Sequence, residues 1–165
     1  MDLKLFVKTG FTNLSDENLE KEGIKKSFIL DETEFEKKFV KEYIDSKWKI
    51  LVHAYLVNTG MAAFTTILAF LLSEGKLNGK ILLGKSSYFQ YKHILVSCLA
   101  KKIIEFSEFD TRAIAELIRL NQPIAIFVDS LCNAKHIPLV DLEKLIENLN
   151  RNSRSEVYLI VDNTG

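Results

Sequence analysis

The stretch from Lys49 to Gly75 places the strongest constraint on the fold. Its first part, Lys49 to Val57, is apolar and rich in β-branched and aromatic residues, which predicts a strand buried on both faces. Its last part, Met61 to Gly75, is apolar on nearly all sides, and its glycine is typical of a helix C-terminus. A strand, a tight turn and a buried helix direct unpaired N–H groups at one point, where a phosphate is expected. An ordinary strand-to-helix turn that binds nothing is the alternative.

The composition is that of a globular protein of one domain. The chain has 165 residues, of which 47% are hydrophobic and 27% are charged, so it is large enough to bury a core. Lysine plus arginine and aspartate plus glutamate number 22 each, and nothing therefore favours nucleic acid or an anionic membrane as a partner.

The sequence shows no targeting or membrane segment. Its longest apolar run, Met61 to Leu72, is shorter than the roughly 20 residues that span a bilayer. The first residues, Met1 to Lys8, lack the apolar core of a signal peptide. Cys98 and Cys132 match no metal spacing, and we expect them to be reduced thiols in a cytoplasmic protein.

The first 48 residues predict an N-terminal, mainly helical segment. Leu3 to Val7 fits a short strand, and Ser15 to Gly23 fits a capped helix. Asp31-Glu-Thr-Glu34 has the form of a capping box, and apolar residues from Phe35 to Ile44 share one face of the helix that follows it.

From residue 49 to 165, strand and helix patterns alternate. Further strands are predicted at Lys80–Gly84, Lys102–Phe106, Ile124–Asp129 and Glu156–Asp162, and helices at Tyr88–Ala100, after Asp110 and at Leu139–Leu149. This alternation predicts an α/β fold with three layers, in which helices cover both faces of a mainly parallel sheet. In such sheets, ligands bind at the edge formed by the carboxyl ends of the strands.

Four features are expected at that edge: the N–H groups of Thr59-Gly60-Met61, the ring of Tyr88, the residues Asp129 and Asn133 that bracket the loop after Ile124–Val128, and the carboxylate of Asp162. Each has an ordinary structural explanation, since tyrosines at helical spacing often lie in a core and Asn and Asp often form turns or caps. Together they suit a flat, phosphorylated, basic ring. A carboxylate beside a ring nitrogen favours the protonated ring, and pyridoxal phosphate acts as an electron sink when its ring is protonated.

The motifs resemble the large domain of fold-type I pyridoxal-phosphate enzymes, in particular the cysteine and methionine metabolism branch with cystathionine gamma-synthase. Thr59-Gly60-Met61-Ala62-Ala63 is similar to the family's Ser-Gly-Met-Ala-Ala, and Val161-Asp162-Asn163-Thr164 matches its Val-Asp-Asn-Thr. Asp129 to Ala134 resembles Glu-Ser-Pro-x-Asn-Pro, with Leu131 and Ala134 in place of the prolines. The likeness covers Phe35 to Gly165.

The resemblance implies a role for each motif. The amides of Gly60 and Met61 would hold the phosphate of pyridoxal 5′-phosphate, and Tyr88 would stack on its ring. Asn133 would bond the phenolic oxygen, and Asp162 would pair with the pyridine nitrogen. The family's enzymes imply elimination or replacement at the β- or γ-carbon of a sulfur-containing amino acid, in a homo-oligomer with sites at the subunit interface.

The resemblance also sets an expectation about activity. The family's Schiff-base lysine follows the Asp-Asn-Thr strand in a Ser-x-Thr-Lys context, and none of the lysines in this sequence has that context. Because that lysine holds the cofactor and moves the substrate proton, we expect residues 1–165 to be an incomplete, cofactor-binding part of the large domain that is inactive as written.

Two other functions stay open. A non-catalytic α/β module could bind a nucleotide or another phosphate at Gly60, although neither a G-x-x-x-x-G-K-[ST] nor a G-x-G-x-x-G motif is present. A degenerate domain could keep the scaffold only as an interaction surface. Titration with pyridoxal phosphate and ATP separates the first of these from the enzyme.

Overall fold

The computed structural model describes residues 3–8, 32–44, 53–131 and 137–163. The chain forms two compact units, the larger of residues Met1–Gly10 and Thr59–Gly165 and the smaller of Phe11–Asn58. The predicted boundary between an N-terminal segment (1–48) and a cofactor-binding part (49–165) stays a prediction. The predicted helix at Ser15–Gly23 and the capping residue Asp31 lie outside the described residues.

A parallel five-stranded sheet forms the framework of the larger unit. Its strands are β1 (Leu3–Lys8), β2 (Ile81–Gly84), β3 (Ile103–Phe106), β4 (Ala125–Asp129) and β5 (Val157–Asp162). Their order across the sheet is β1-β5-β4-β2-β3, and every neighbouring pair is parallel. The predicted N-terminal strand is confirmed as β1, and β2 to β5 each begin one residue later than predicted.

The described helices are α1 (Glu32–Tyr43) in the smaller unit and four in the larger: α2 (Gly60–Ser73), α3 (Phe89–Leu99), α4 (Thr111–Asn121) and α5 (Leu142–Asn152). A single 3₁₀ turn, Ala100–Lys102, leads from α3 into β3. The predicted helix after Asp110 is confirmed, with the Asp110 carboxylate accepting hydrogen bonds from the N–H groups of Arg112 and Ala113.

The two faces of the sheet carry separate cores, which confirms the three-layer αβα arrangement. Alternate residues of a strand point to opposite faces. On β4, Phe127 contributes to the core under α2 and α3, whereas Ile126 contributes to the core under α4 and α5. All five residues of β4 are buried, as expected for a central strand of a parallel sheet.

The strand predicted at Lys49–Val57 is wrong for its described part. Residues 53–57 belong to no helix or strand, and the side chain of Tyr55 is 79% exposed. The N–H of Leu56 donates to a carboxylate oxygen of Glu36 at 2.6 Å instead of to a neighbouring strand. An apolar run is able to form a strand only where a sheet offers it a partner, and the sequence does not contain that information.

The predicted start of the last helix at Leu139 is also wrong. Helix α5 begins at Leu142, because the Asp141 carboxylate caps it by accepting the N–H of Lys144 at 3.0 Å. Leu139 instead forms an isolated antiparallel bridge with Leu131. The apolar spacing of the helix extends beyond its N-terminus, whereas the capping residue gives its true start.

The strand order creates a switch point between β2 and β4. From the carboxyl end of β2 the chain leaves by α3 to β3, and from the carboxyl end of β4 it leaves by α5 to β5, in the opposite direction across the sheet. These two helices lie on opposite faces, since α3 packs in one core and α5 in the other. Connections that diverge in this way leave a crevice at the carboxyl ends of the two strands, where ligands of open α/β sheets bind.

Candidate functional site

The start of α2 offers two free N–H groups. Thr59 is its N-cap, with Oγ1 accepting from the N–H of Ala62 at 3.0 Å and its carbonyl accepting from the N–H of Ala63 at 3.0 Å. Within the described part of the chain, the N–H groups of Gly60 and Met61 have no hydrogen-bond partner. Two free N–H groups at the positive end of a helix of 14 residues form a binding position for an anion.

A pocket at the carboxyl edge brings the carboxylate of Asp162 to α2. Asp162 ends β5 and is buried, with 5% of its surface exposed. The pocket that it lines is otherwise apolar: its walls are Phe64, Ile67, Tyr91, Phe127, Val128 and Ile160. Phe64 lies one helical turn after Gly60, on the same side of α2. Gly60 and Met61 therefore stand one turn from a pocket wall that Asp162 shares.

Tyr88 stands beside this pocket and does not line it. It is the N-cap of α3, and its hydroxyl donates to the side-chain oxygen of Gln90 at 3.0 Å. Its ring lies in a neighbouring surface depression formed by residues 85–89. The ring that lines the pocket with Asp162 is that of Tyr91, one turn further along α3. Asn133 lies outside the described residues.

Asp129, expected at the carboxyl edge beside the loop that carries Asn133, and Tyr91, expected in the core, connect these elements. Asp129 ends β4, is 3% exposed, and accepts hydrogen bonds from the N–H of Tyr88 at 2.9 Å and from the hydroxyl of Tyr91. In the sequence, the feature that indicated a place for Asp129 at the carboxyl edge was its position at the end of a buried strand. The spacing of Tyr91 indicated only a core position, which the structure confirms, since Tyr91 is 3% exposed.

Glu108 holds the other end of the loop before α3. Its side chain is buried, and Oε1 accepts from the N–H of Ser86 at 2.8 Å. A Cβ at Gly84 would lie 2.5 Å from that oxygen, so a glycine is needed for the carboxylate to approach the strand end. The loop between β2 and α3 is thus held by two buried carboxylates, Glu108 at Ser86 and Asp129 at Tyr88.

The donor set fits a planar ring that carries a phosphate and a basic nitrogen. The N–H groups of Gly60 and Met61 suit the phosphate. Phe64 and Tyr91 stack on each other with ring centroids 5.0 Å apart, and the void beside them measures about 10 Å³, so a bound ring lies against this aromatic pair and not between its two rings. The Asp162 carboxylate at the edge of an apolar pocket suits a protonated ring nitrogen, because an opposite charge stabilises the protonated form.

The described residues show neither a membrane-spanning helix nor a metal-binding cluster. None of their helices combines the length and apolar character that crossing a bilayer requires. They likewise contain no group of three His, Cys, Asp or Glu side chains placed to hold a metal ion.

Comparison with known proteins identifies the family to which the sequence is similar and a relative of known name. Residues 40–165 match the family described as Cys/Met metabolism PLP-dependent enzyme. The chain is also 24% identical over 110 residues to the bifunctional enzyme flvA of Aspergillus flavus. That alignment covers 66% of this chain and 13% of the relative, so the chain spans only a small part of the relative's length.

Proposed function

The chain belongs to the Cys/Met metabolism family of PLP-dependent enzymes, and on that premise we propose that its carboxyl-edge pocket binds the family's cofactor, pyridoxal 5′-phosphate. The observation that carries the proposal is the arrangement of α2 and β5. The free N–H groups of Gly60 and Met61 lie one helical turn before Phe64, and Phe64 lines a pocket together with the buried Asp162.

Each residue has a proposed task. Gly60 and Met61 donate N–H groups to the phosphate, and the helix N-terminus adds its partial positive charge. Asp162 accepts a hydrogen bond from the ring nitrogen and keeps it protonated. Asn133 bonds the phenolic oxygen. Tyr88 stacks on the ring, for which its side chain has to turn from Gln90 toward the pocket. When bound, the cofactor supplies an electron sink for the amino acid's α-carbon.

The proposed reaction of the whole protein is elimination or replacement at the β- or γ-carbon of a sulfur-containing amino acid. Residues 49–165 are its cofactor-binding part, and the protein is a cytoplasmic homo-oligomer. The sequence given has no lysine in a Ser-x-Thr-Lys context. We infer that residues 1–165 by themselves bind cofactor without turning over an amino acid, because the lysine-dependent proton transfer is missing.

The test is a calorimetric titration of the 165-residue chain with pyridoxamine 5′-phosphate, and separately with ATP. Pyridoxamine phosphate is chosen because its amine, unlike the aldehyde of pyridoxal phosphate, does not react with surface lysines. We expect saturable binding of one molecule per chain, at least about tenfold tighter than ATP, with inorganic phosphate competing at the N-terminus of α2.

The same titration separates the alternative functions. Tighter binding of ATP than of pyridoxamine phosphate would favour the nucleotide-binding module and contradict the proposal. Binding of neither ligand would favour an interaction domain that has kept only the scaffold.

A further inference from the structure

Asp129 connects two parts of α3 to the end of β4. Its carboxylate is buried and lies opposite Asp162 in the register of the β4–β5 pair. Oδ2 accepts the backbone N–H of Tyr88 at 2.9 Å, and Oδ1 accepts the hydroxyl of Tyr91. Hydrogen bonds to a carboxylate are stronger than neutral ones, and a buried donor that loses its acceptor is destabilised. Asp129 therefore fixes both the start of α3 and the Tyr91 side chain.

Tyr91 carries this constraint into the pocket. Its ring stacks on Phe64 of α2, with centroids 5.0 Å apart and planes inclined by 25°. Both rings line the pocket that Asp162 also lines. Phe64 lies one turn after Gly60 and Met61 on the same helix. Tyr91 thus links the start of α3 to the first turns of α2 through its contact with Phe64.

We propose that Asp129 is a positioning residue of the cofactor site. By holding Tyr88 through its N–H and Tyr91 through its hydroxyl, it sets the separation between the phosphate-binding N–H groups of α2 and the aromatic residues of α3. Asp129 acts through these tyrosines and does not itself contact the phosphate or the ring nitrogen. The inference rests on the proposed function of the same pocket.

The experiment compares Asp129→Ala, Asp129→Asn and Tyr91→Phe with the unchanged chain. Two quantities are measured: the dissociation constant of pyridoxamine phosphate, and the induced circular dichroism of the bound ligand at saturation, which reports the orientation of its ring among the aromatic side chains. We expect Asp129→Ala to weaken binding about tenfold and to change the induced signal per bound ligand. Asp129→Asn keeps the shape of the side chain and one acceptor oxygen, so we expect it to restore part of the affinity and part of the induced signal. Tyr91→Phe loses only the hydroxyl donor, so we expect its affinity and induced signal to lie between those of Asp129→Ala and the unchanged chain.

Gln122→Ala is the matched control for stability. Gln122 lies just before β4, at the opposite edge of the sheet, where its Oε1 accepts the N–H of Arg154 at 2.8 Å and its Nε2 donates to the carbonyl of Asn152 at 3.0 Å. Its replacement lowers the melting temperature without touching the pocket. We expect the affinity for pyridoxamine phosphate and the induced signal at saturation to stay unchanged.

The outcomes distinguish this inference from the proposed function. If the unchanged chain does not bind pyridoxamine phosphate, both are wrong. If it binds and the Asp129 and Tyr91 variants bind with unaltered affinity and induced signal, the inference alone is wrong. A loss of affinity with an unaltered signal, matched by Gln122→Ala, also overturns it, because it reports general destabilisation. Should Asp129→Ala fail to fold, the two milder variants decide.

Discussion

Replacing Phe127 by alanine is expected to lower the free energy of unfolding by about 3–5 kcal/mol. Phe127 is 1% exposed at the centre of β4, and its ring packs edge-on against Phe64 of α2 with centroids 6.4 Å apart. The substitution removes a large buried apolar surface and leaves a cavity between the sheet and two helices. Urea unfolding measures the change, which is a large fraction of the roughly 5–15 kcal/mol that stabilises a typical domain.

Two further variants control this prediction. Phe127→Leu keeps most of the buried volume and is expected to cost about 1 kcal/mol, so it remains measurable if the alanine variant is too unstable. Leu120→Ala removes a side chain that is 61% exposed on α4 and is expected to change stability by no more than about 0.5 kcal/mol. Equal losses for Phe127→Ala and Leu120→Ala would contradict the central position of β4 in the fold.

Replacing Asp162 by alanine is expected to weaken the binding of pyridoxamine phosphate roughly 10- to 100-fold. A hydrogen bond to a charged group is worth about 1.5–3 kcal/mol, and the carboxylate is the acceptor that we propose for the protonated ring nitrogen. The backbone carbonyl of residue 162 accepts hydrogen bonds from the N–H and the hydroxyl of Ser130, and these two contacts do not depend on the side chain that is replaced.

Inorganic phosphate gives the control for this variant. We propose that it binds at the N-terminus of α2, and because it has no ring nitrogen its affinity is expected to be the same for Asp162→Ala and for the unchanged chain. Asp162→Asn, which keeps the shape and loses the charge, is expected to resemble the alanine variant. A parallel loss of affinity for both ligands would show that Asp162 supports the fold of the pocket and not the ring nitrogen.

The sequence predicted most of the sheet because its strands are short, buried runs with clear limits. Ile124 to Asp129 follows a proline and ends in a carboxylate, and the observed strand differs by one residue. Asp110 marked the true start of α4 because a capping side chain acts locally, whereas the apolar spacing from Leu139 missed the start of α5 that Asp141 caps. The strand prediction for residues 53–57 was wrong because a strand needs a pairing partner. Sheet pairing is a tertiary interaction, which a local sequence pattern does not contain.

The candidate site was predicted in part. Gly60 begins a helix and Asp162 ends a strand at the carboxyl edge, as the parallel topology required. The sequence did not indicate that Tyr91, and not Tyr88, lines the pocket with Asp162, because both tyrosines have helical spacing. The contact of Tyr91 with Phe64 in this pocket is a tertiary interaction. Asp129 forms hydrogen bonds with Tyr88, which precedes it by 41 positions, and with Tyr91, which precedes it by 38 positions. No local sequence pattern indicates pairs that are so far apart in the chain.

Nuclear magnetic resonance of the ¹⁵N-labelled chain, titrated with pyridoxamine phosphate, tests most directly whether one molecule joins α2 to β5. We expect the amide signals of Gly60, Met61 and Asp162 to shift together, along one saturation curve with one dissociation constant. In the same experiment, inorganic phosphate is expected to shift the amide signals of Gly60 and Met61 and to leave that of Asp162 unchanged. Separate saturation curves for the two ends, or shifts confined to residues away from both, would contradict a shared cofactor site.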